Sequence, residues 1–83
     1  MDVMHEVKSS LDEVLSLGGR AAAFSARTPL LGAIPELDSM AVVSIITALE
    51  DRFGIAIGDD EIDGSTFETV GSLVELVQSK LTA

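Results

Sequence analysis

The sequence predicts an all-α fold, a small bundle of three main helices with a short helical turn and a long loop between helices 1 and 2. Three segments repeat apolar residues at the i, i+3, i+4, i+7 spacing of a helix face. The one alternating stretch, residues 55–57, has no evident partner strand, and an isolated strand is not stable. A chain of 83 residues has the length of one small domain, so we expect residues 1–83 to form a single domain.

The apolar positions predict each helix in turn. The first helix presents Val3, Val7, Leu11, Val14 and Leu15 on one face. Gly18 and Gly19 should close it, since glycine often stands just past a helix end. The second helix presents Val42, Ile45, Ile46, Leu49 and Phe53. Gly54 is its expected stop.

The third helix has two possible starts. Its apolar face consists of Val70, Leu73, Val74, Val77 and Leu81. Thr69 can serve as its N-cap, whereas Ser65 with Glu68 forms an alternative capping box. A short helical turn is expected around Asp59 to Ile62.

The connection between the first two helices runs from Gly18 to about Leu37. Its glycine, serine, threonine and proline residues disfavour regular structure. Four of its residues are too apolar for a free linker and should lie on the core, namely Leu30, Leu31, Ile34 and Leu37. A loop of this length in a compact domain often has a functional role.

Charge limits the possible partners. Fourteen acidic residues against five basic ones give a net charge of −9. Such a surface repels nucleic-acid phosphates and anionic lipid headgroups and attracts basic protein surfaces, although solubility alone would also explain it. No apolar stretch approaches the roughly 20 residues that span a bilayer, and the N-terminus lacks the apolar run of a secretory signal. We therefore expect a cytoplasmic monomer that binds neither nucleic acid nor membrane.

Metal binding is disfavoured by the residues available. The chain has no cysteine, which excludes disulfides, thiolate metal sites and cysteine nucleophiles. Asp59, Glu61, Asp63 and Gly64 occupy positions 1, 3, 5 and 6 of a calcium loop. Val70 stands at position 12, where that loop requires a bidentate glutamate. We predict a solvated acidic turn and no metal site.

Catalysis is disfavoured for a similar reason. The only histidine, His5, lies among polar residues of the first helix, where a surface position is the commoner case. A serine nucleophile needs a base to take its proton, and the G-x-S-x-G pattern is absent around Ser39. We predict that the chain is not an enzyme and has no catalytic residues.

Ser39 has two possible roles at the start of the second helix. Asp38 and Ser39 are both favoured N-cap residues, and Ser39 alone would be interpreted as the cap. If Asp38 caps the helix, Ser39 lies in the first turn. A phosphate attached there would meet unpaired N–H groups at the positive helix end.

Apolar residues off the buried stripe surround this serine. Met40 and Val43, together with Ala41 and Thr47, would leave a partly apolar patch beside Ser39. Alternatively, Met40 and Val43 pack against the long loop. The sequence leaves both possibilities open.

These residues resemble the acyl carrier protein family. "LDSM" is followed by "AVVSIITALEDRFGI", "IGDDEI" and "FETVGSLVELV" in the order typical of that family. The hallmark is Asp38-Ser39-Met40 at the start of the second helix, and the similarity covers roughly residues 30–81. An Asp-Ser pair alone does not identify a family. The pair together with the three later stretches, at these spacings, is specific for this one.

The resemblance implies a carrier function for Ser39. A phosphopantetheinyl transferase would use coenzyme A to attach 4′-phosphopantetheine to Ser39, between Asp38 and Met40. The thiol of that arm would hold an acyl or aminoacyl group as a thioester. Acyl-loading ligases and acyl-processing enzymes with basic docking surfaces would then meet the second helix. The implied docking residues are Glu36, Met40, Val43, Thr47, Glu50 and Asp51, together with Asp38.

Two departures from the family pattern modify this hypothesis. Pro35-Glu36-Leu37 stands where many members have a glycine, and Ala41 and Ser44 stand where many fatty-acid carriers have carboxylates. A discrete bacterial carrier for a specialised pathway is therefore expected, free-standing rather than excised from a synthase. The run "TPLLGAIPELDSM" is similar to carriers that accompany exosortase-type systems. The competing hypothesis is an acidic helical interaction module without a prosthetic group.

Overall fold

The computed structural model describes residues 2–82, without the side chain of Asp59. Three α-helices confirm the predicted all-α class: α1 Val3–Leu15, α2 Ser39–Phe53 and α3 Val70–Thr82. Two 3₁₀ turns, Arg20–Ala23 and Asp59–Glu61, lie in the connections. Helix α1 packs against both α2 and α3. Among residues 2–82, no helix has the length and apolar character needed to cross a lipid bilayer.

The core is built from the predicted helix faces and is almost entirely aliphatic. Its large side chains with essentially no exposure are Val7, Leu11, Leu30, Ile45, Leu49, Val70, Leu73 and Val77. Leu81 was expected to continue the α3 face, but it is 40% exposed in the last turn of that helix. Ser10 is fully buried in α1, which the apolar pattern did not predict.

Helix α1 ends earlier than the glycines suggest. Ser16 adopts the left-handed conformation with φ 55°, and the N–H groups of Ser16 and Leu17 both donate to the carbonyl of Asp12. Leu17 then inserts into the core, as an apolar residue after such a helix end often does. The prediction that Gly18 and Gly19 close the helix is therefore wrong, because they shape the next turn.

The long loop is fastened to the start of α3 by backbone hydrogen bonds. Leu30 N and Leu31 N donate to the carbonyls of residues 68 and 67, and the N–H groups of residues 70 and 71 donate to Thr28 O and Ala26 O. Leu30 and Leu37 are buried and Ile34 is half-buried, as expected, but Leu31 is 51% exposed. Leu31 therefore lies outside the core although it is as apolar as Leu30.

Thr69 is the N-cap of α3. The Thr69 hydroxyl accepts from Ser72 N, and the Ser72 hydroxyl accepts from Thr69 N, both at 3.1 Å. This reciprocal pair has the form of a capping box with serine in place of glutamate. The alternative start at Ser65 and Glu68 is wrong, because the Ser65 hydroxyl donates to the Asp63 carboxylate instead.

The connection between α2 and α3 follows the sequence prediction closely. Gly54 has a φ of 65° and ends α2, as expected. The predicted helical turn is the 3₁₀ turn Asp59–Glu61, and residues 55–57 form no strand. Glu61 accepts from Gly58 N at 2.9 Å and forms an ion pair with Lys80 of α3. The connection is therefore held to α3 through a side chain.

Candidate functional site

Asp38 is the N-cap of α2. Its backbone is extended, its carboxylate accepts from Ala41 N at 2.8 Å, and its carbonyl accepts from Val42 N at 3.0 Å. Ser39 is consequently the first helical residue, and its hydroxyl does not serve as the cap. Of the two roles considered for Ser39, the cap is excluded by this geometry.

The segment before the cap is a turn. Leu37 N donates to Ile34 O at 3.0 Å, which places Pro35 second in the turn, where its fixed φ is favourable. Leu37 is buried and fixes the chain immediately before Asp38. Pro35-Glu36-Leu37 therefore gives an ordered approach to the start of α2.

Glu36 in that turn is paired within the chain. Its carboxylate accepts a hydrogen bond from the guanidinium of Arg20, in the first 3₁₀ turn. That hydrogen bond, with one from the backbone, holds the pKa of Glu36 below its ordinary value. Arg20 is 60% exposed, so the pair stabilises the fold only weakly, but it links the turn to the preceding loop.

Ser39 presents an exposed hydroxyl with no partner among the described residues. The N–H groups of Ser39 and Met40 also have no acceptor there, because the Asp38 carboxylate caps the amide of residue 41. Two donors of the positive helix end are thus left beside the hydroxyl. An anionic phosphodiester on Ser39 fits this position, since it would be solvated and would lie near unpaired donors.

An apolar patch lies next to Ser39. Met40 is 76% exposed and Val43 is 63% exposed, so the alternative in which both pack against the long loop is wrong. Thr47 is exposed one turn further on, and its hydroxyl donates to Val43 O at 3.1 Å. Ala41 is half-buried against the core. No charged residue occurs between positions 39 and 49, so this part of α2 offers partners an uncharged surface.

The two carboxylates at the end of α2 have different surroundings. Glu50 is half-buried, and its carboxylate accepts from Ile57 N at 2.8 Å. Asp51 is exposed and makes no hydrogen bond or ion pair with any described residue. The resemblance implied that both residues are docking carboxylates. In the structure, the Glu50 carboxylate already has a hydrogen-bond partner inside the chain.

Sequence reasoning missed the role of Arg52. Its guanidinium donates to Glu6 at 3.1 Å and to Glu13 at 3.2 Å, joining α2 to α1. Arg52 is the only basic residue between positions 36 and 75, and this isolation was a signal of an internal partner.

The acidic turn considered for calcium is organised by hydrogen bonds within the chain. The Asp63 carboxylate accepts from the hydroxyl and the N–H of Ser65, and these bonds lower the pKa of Asp63. Among the described side chains, no group of three or more histidines and carboxylates is placed to hold a metal ion. His5 is exposed on α1, and only its backbone N–H takes part in capping that helix.

Comparisons with known proteins agree with this geometry. The family model described as "Phosphopantetheine attachment site" matches residues 6–77, which include Ser39. The chain is also similar to a holo acyl carrier protein from Nitrosomonas europaea, solved by solution NMR. The two chains are 51% identical with a TM-score of 0.93, and the match covers 100% of each. No match was found among curated proteins.

The competing hypothesis, an interaction module without a prosthetic group, does not agree with these findings. The matched family is defined by the attachment of phosphopantetheine, and its match extends from α1 into α3. The similar structure reproduces the whole chain at high identity rather than the fold alone. The chain therefore belongs to the acyl carrier proteins, the family of carriers whose prosthetic group is covalently attached 4′-phosphopantetheine.

Proposed function

We propose that Ser39 is the residue to which a phosphopantetheinyl transferase attaches 4′-phosphopantetheine from coenzyme A. The observation that carries this proposal is the exposed, unpartnered Ser39 hydroxyl at the first position of α2, with Asp38 as the cap. Once attached, the arm supplies a thiol that holds an acyl or aminoacyl group as a thioester.

The neighbouring residues hold the attachment point in place. Asp38 fixes the first turn of α2, so the backbone of Ser39 has a defined position and its side chain is exposed to solvent. The unpaired amides of Ser39 and Met40 stabilise negative charge at this helix end. Ile45 and Leu49 anchor the same helix in the core, which keeps the attachment point on a rigid element.

The chain itself catalyses nothing in this proposal. It tethers the substrate, which raises the effective concentration of the acyl group at each partner enzyme. Partners contact Met40, Val43 and Thr47 because these residues lie beside Ser39 on the exposed side of α2. Basic groups on a partner are attracted by the net charge of −9, which speeds encounter more than it tightens binding.

The test is the intact mass of the protein after incubation with coenzyme A and a transferase of broad specificity. The wild-type chain should gain the mass of one phosphopantetheine group, and Ser39→Ala should gain none. Ser44→Ala is the matched control, because Ser44 is another exposed serine of α2 and its loss should leave the gain unchanged.

A mass gain that survives Ser39→Ala would refute the assignment. Circular dichroism must show that Ser39→Ala remains folded. We expect its free energy of unfolding to change by less than about 1 kcal/mol, since Asp38 rather than Ser39 makes the capping bond.

A further inference from the structure

Methionine is the only sulfur-containing residue type of this chain. The sequence has three methionines and no cysteine, and tryptophan and tyrosine are also absent. Oxidants such as hydrogen peroxide convert the methionine thioether to a sulfoxide. Because the oxidant must reach the side chain, the exposure of each methionine decides where oxidation of the chain begins.

Met40 and Met4 differ strongly in exposure. Met40, in the first turn of α2, is 76% exposed, more than the other exposed large apolar residues of the described chain. Met4, in the first turn of α1, is half-buried and packs against the core. A peroxide molecule can therefore approach Met40 from solvent, whereas packing restricts its approach to Met4.

Oxidation of Met40 would change the surface directly beside the attachment serine. Met40 follows Ser39, its neighbour Val43 is 63% exposed, and no charged residue occurs between positions 39 and 49. A sulfoxide is polar where the thioether is apolar. The free chain tolerates this change because Met40 is solvated. A partner that covers Met40 with apolar groups must remove water from the sulfoxide oxygen, which costs free energy.

We infer that Met40 is the preferred site of oxidation by peroxides in the described chain, and that its sulfoxide weakens docking of the phosphopantetheinyl transferase at Ser39. The Met40 sulfur attacks one oxygen of hydrogen peroxide, so that an S–O bond forms as the O–O bond breaks. The other oxygen leaves as water with both hydrogens of the peroxide. The sulfur is thereby oxidised by two electrons and the peroxide is reduced. The effect on docking rests on the proposed function, whereas the site of oxidation does not.

The first measurement is the rate of oxidation of each methionine in the unmodified chain, treated with dilute hydrogen peroxide and digested with trypsin. Met40 is the only methionine of the tryptic peptide 28–52, and fragment ions separate Met4 from Met1. Met40 should gain an oxygen atom at least about fivefold faster than Met4 in the folded chain. In concentrated urea the two rates should agree within about twofold, because unfolding removes the packing around Met4.

The second measurement is kcat/KM for modification by the transferase, after catalase has removed the peroxide. Oxidised wild type should lose about threefold or more relative to its own untreated sample. The loss should be equal at low and high salt, because a sulfoxide carries no net charge. Methionine sulfoxide reductases should restore the untreated value.

Met40→Leu is the matched variant, and it too is compared with its own untreated sample. Peroxide should change its kcat/KM by less than about 1.5-fold, although its other methionines can still be oxidised. Circular dichroism separates docking from unfolding. The Tm of wild type oxidised at Met40 should stay within about 3 °C of the untreated value, since the change is on the surface.

Three results would overturn the inference. Equal oxidation rates of Met40 and Met4 in the folded chain would refute Met40 as the preferred site. A kcat/KM that oxidation leaves unchanged, or that falls equally in Met40→Leu, would refute the effect on docking. An untreated wild-type chain that gained no phosphopantetheine would overturn the proposed function and the docking effect with it. The oxidation rates would still decide the site, because they need no prosthetic group.

Discussion

Replacement of Gly71 by alanine tests how the long loop is fastened to α3. A β-carbon at this position would lie 2.8 Å from the carbonyl oxygen of Ala26 and 3.2 Å from its β-carbon. Real β-carbons do not approach a backbone oxygen so closely, and the contacting atom belongs to the backbone rather than to a flexible side chain. The loop must therefore move away from the start of α3.

The magnitude follows from the bonds that this movement loosens. Gly71 N donates to Ala26 O at 2.9 Å, and Val70 N donates to Thr28 O at 3.0 Å. Each bond contributes about 1 kcal/mol net, and overpacking typically costs about 1–3 kcal/mol. The higher helix propensity of alanine offsets this destabilisation by about 1 kcal/mol. We expect a net loss of about 2–4 kcal/mol, or about 8–30 °C in Tm for a chain of this size.

The assay is thermal and urea unfolding followed by circular dichroism. Gly64→Ala is the matched control, because nothing lies within 4 Å of its added β-carbon and Gly64 has no left-handed φ. That variant should gain about 0.4–1 kcal/mol by restricting the unfolded chain. A Gly71→Ala variant as stable as wild type, or more stable, would refute the close approach of the loop to α3.

Three further substitutions test the core and the surface ion pairs. Ile45→Asp should abolish cooperative unfolding, because it puts an unpaired charge at a position with no exposure; a normal thermal transition would contradict the assigned buried face. Ser10→Ala should raise the free energy of unfolding by about 1 kcal/mol in urea, since the Ser10 hydroxyl is buried without a partner. Glu61→Gln should reduce the loss of unfolding free energy that occurs as the pH falls into the acid range. The hydrogen bond from Lys80 lowers the pKa of Glu61 in the folded chain below its ordinary value of 4.5. The stabilisation is therefore present above about pH 4.5 and is lost as the pH falls through the lower folded value. Urea unfolding at a series of pH values should show wild type and variant converging in acid, and a constant difference would contradict the ion pair.

Local patterns predicted the helices well, and they also placed Ser39 in the first turn of α2. Helix periodicity depends on side chains three and four residues apart, so Ile45 and Leu49 could be assigned to the core without coordinates. The capping role of Asp38 also follows from local chemistry, because its acceptor groups lie within three or four residues of the donors.

The errors arose where a residue acts over a longer distance. Glu50 looked like a surface carboxylate, but its partner amide lies seven residues away around a chain reversal. Leu31 looked as apolar as Leu30, and only the pairing with residues 67 and 68 decides which of them faces inward. Ser16 takes the left-handed position that glycine usually occupies, and Leu17 directly after it is buried in the core.

The specialised cargo and the similarity to exosortase-associated carriers stay predictions. We expect the pocket of the partner enzyme, rather than the carrier, to select the cargo. The intact mass of the protein isolated from its own cells would weigh the loaded group directly.

The bonds between the long loop and the start of α3 also determine the order in which the chain can fold during synthesis. The acceptors for Val70 N and Gly71 N lie roughly 40 residues earlier in the chain. Helix α3 has 13 residues, which is near the length at which an isolated helix is only marginally stable in water. A nascent chain that has emerged only through α2 therefore holds the carbonyls of Ala26 and Thr28 without their donors, and the loop amides of residues 30 and 31 without their acceptors. Helix α3 and the residues just before it complete the structure of a loop made much earlier, so we expect native structure to form only after α3 has been synthesised.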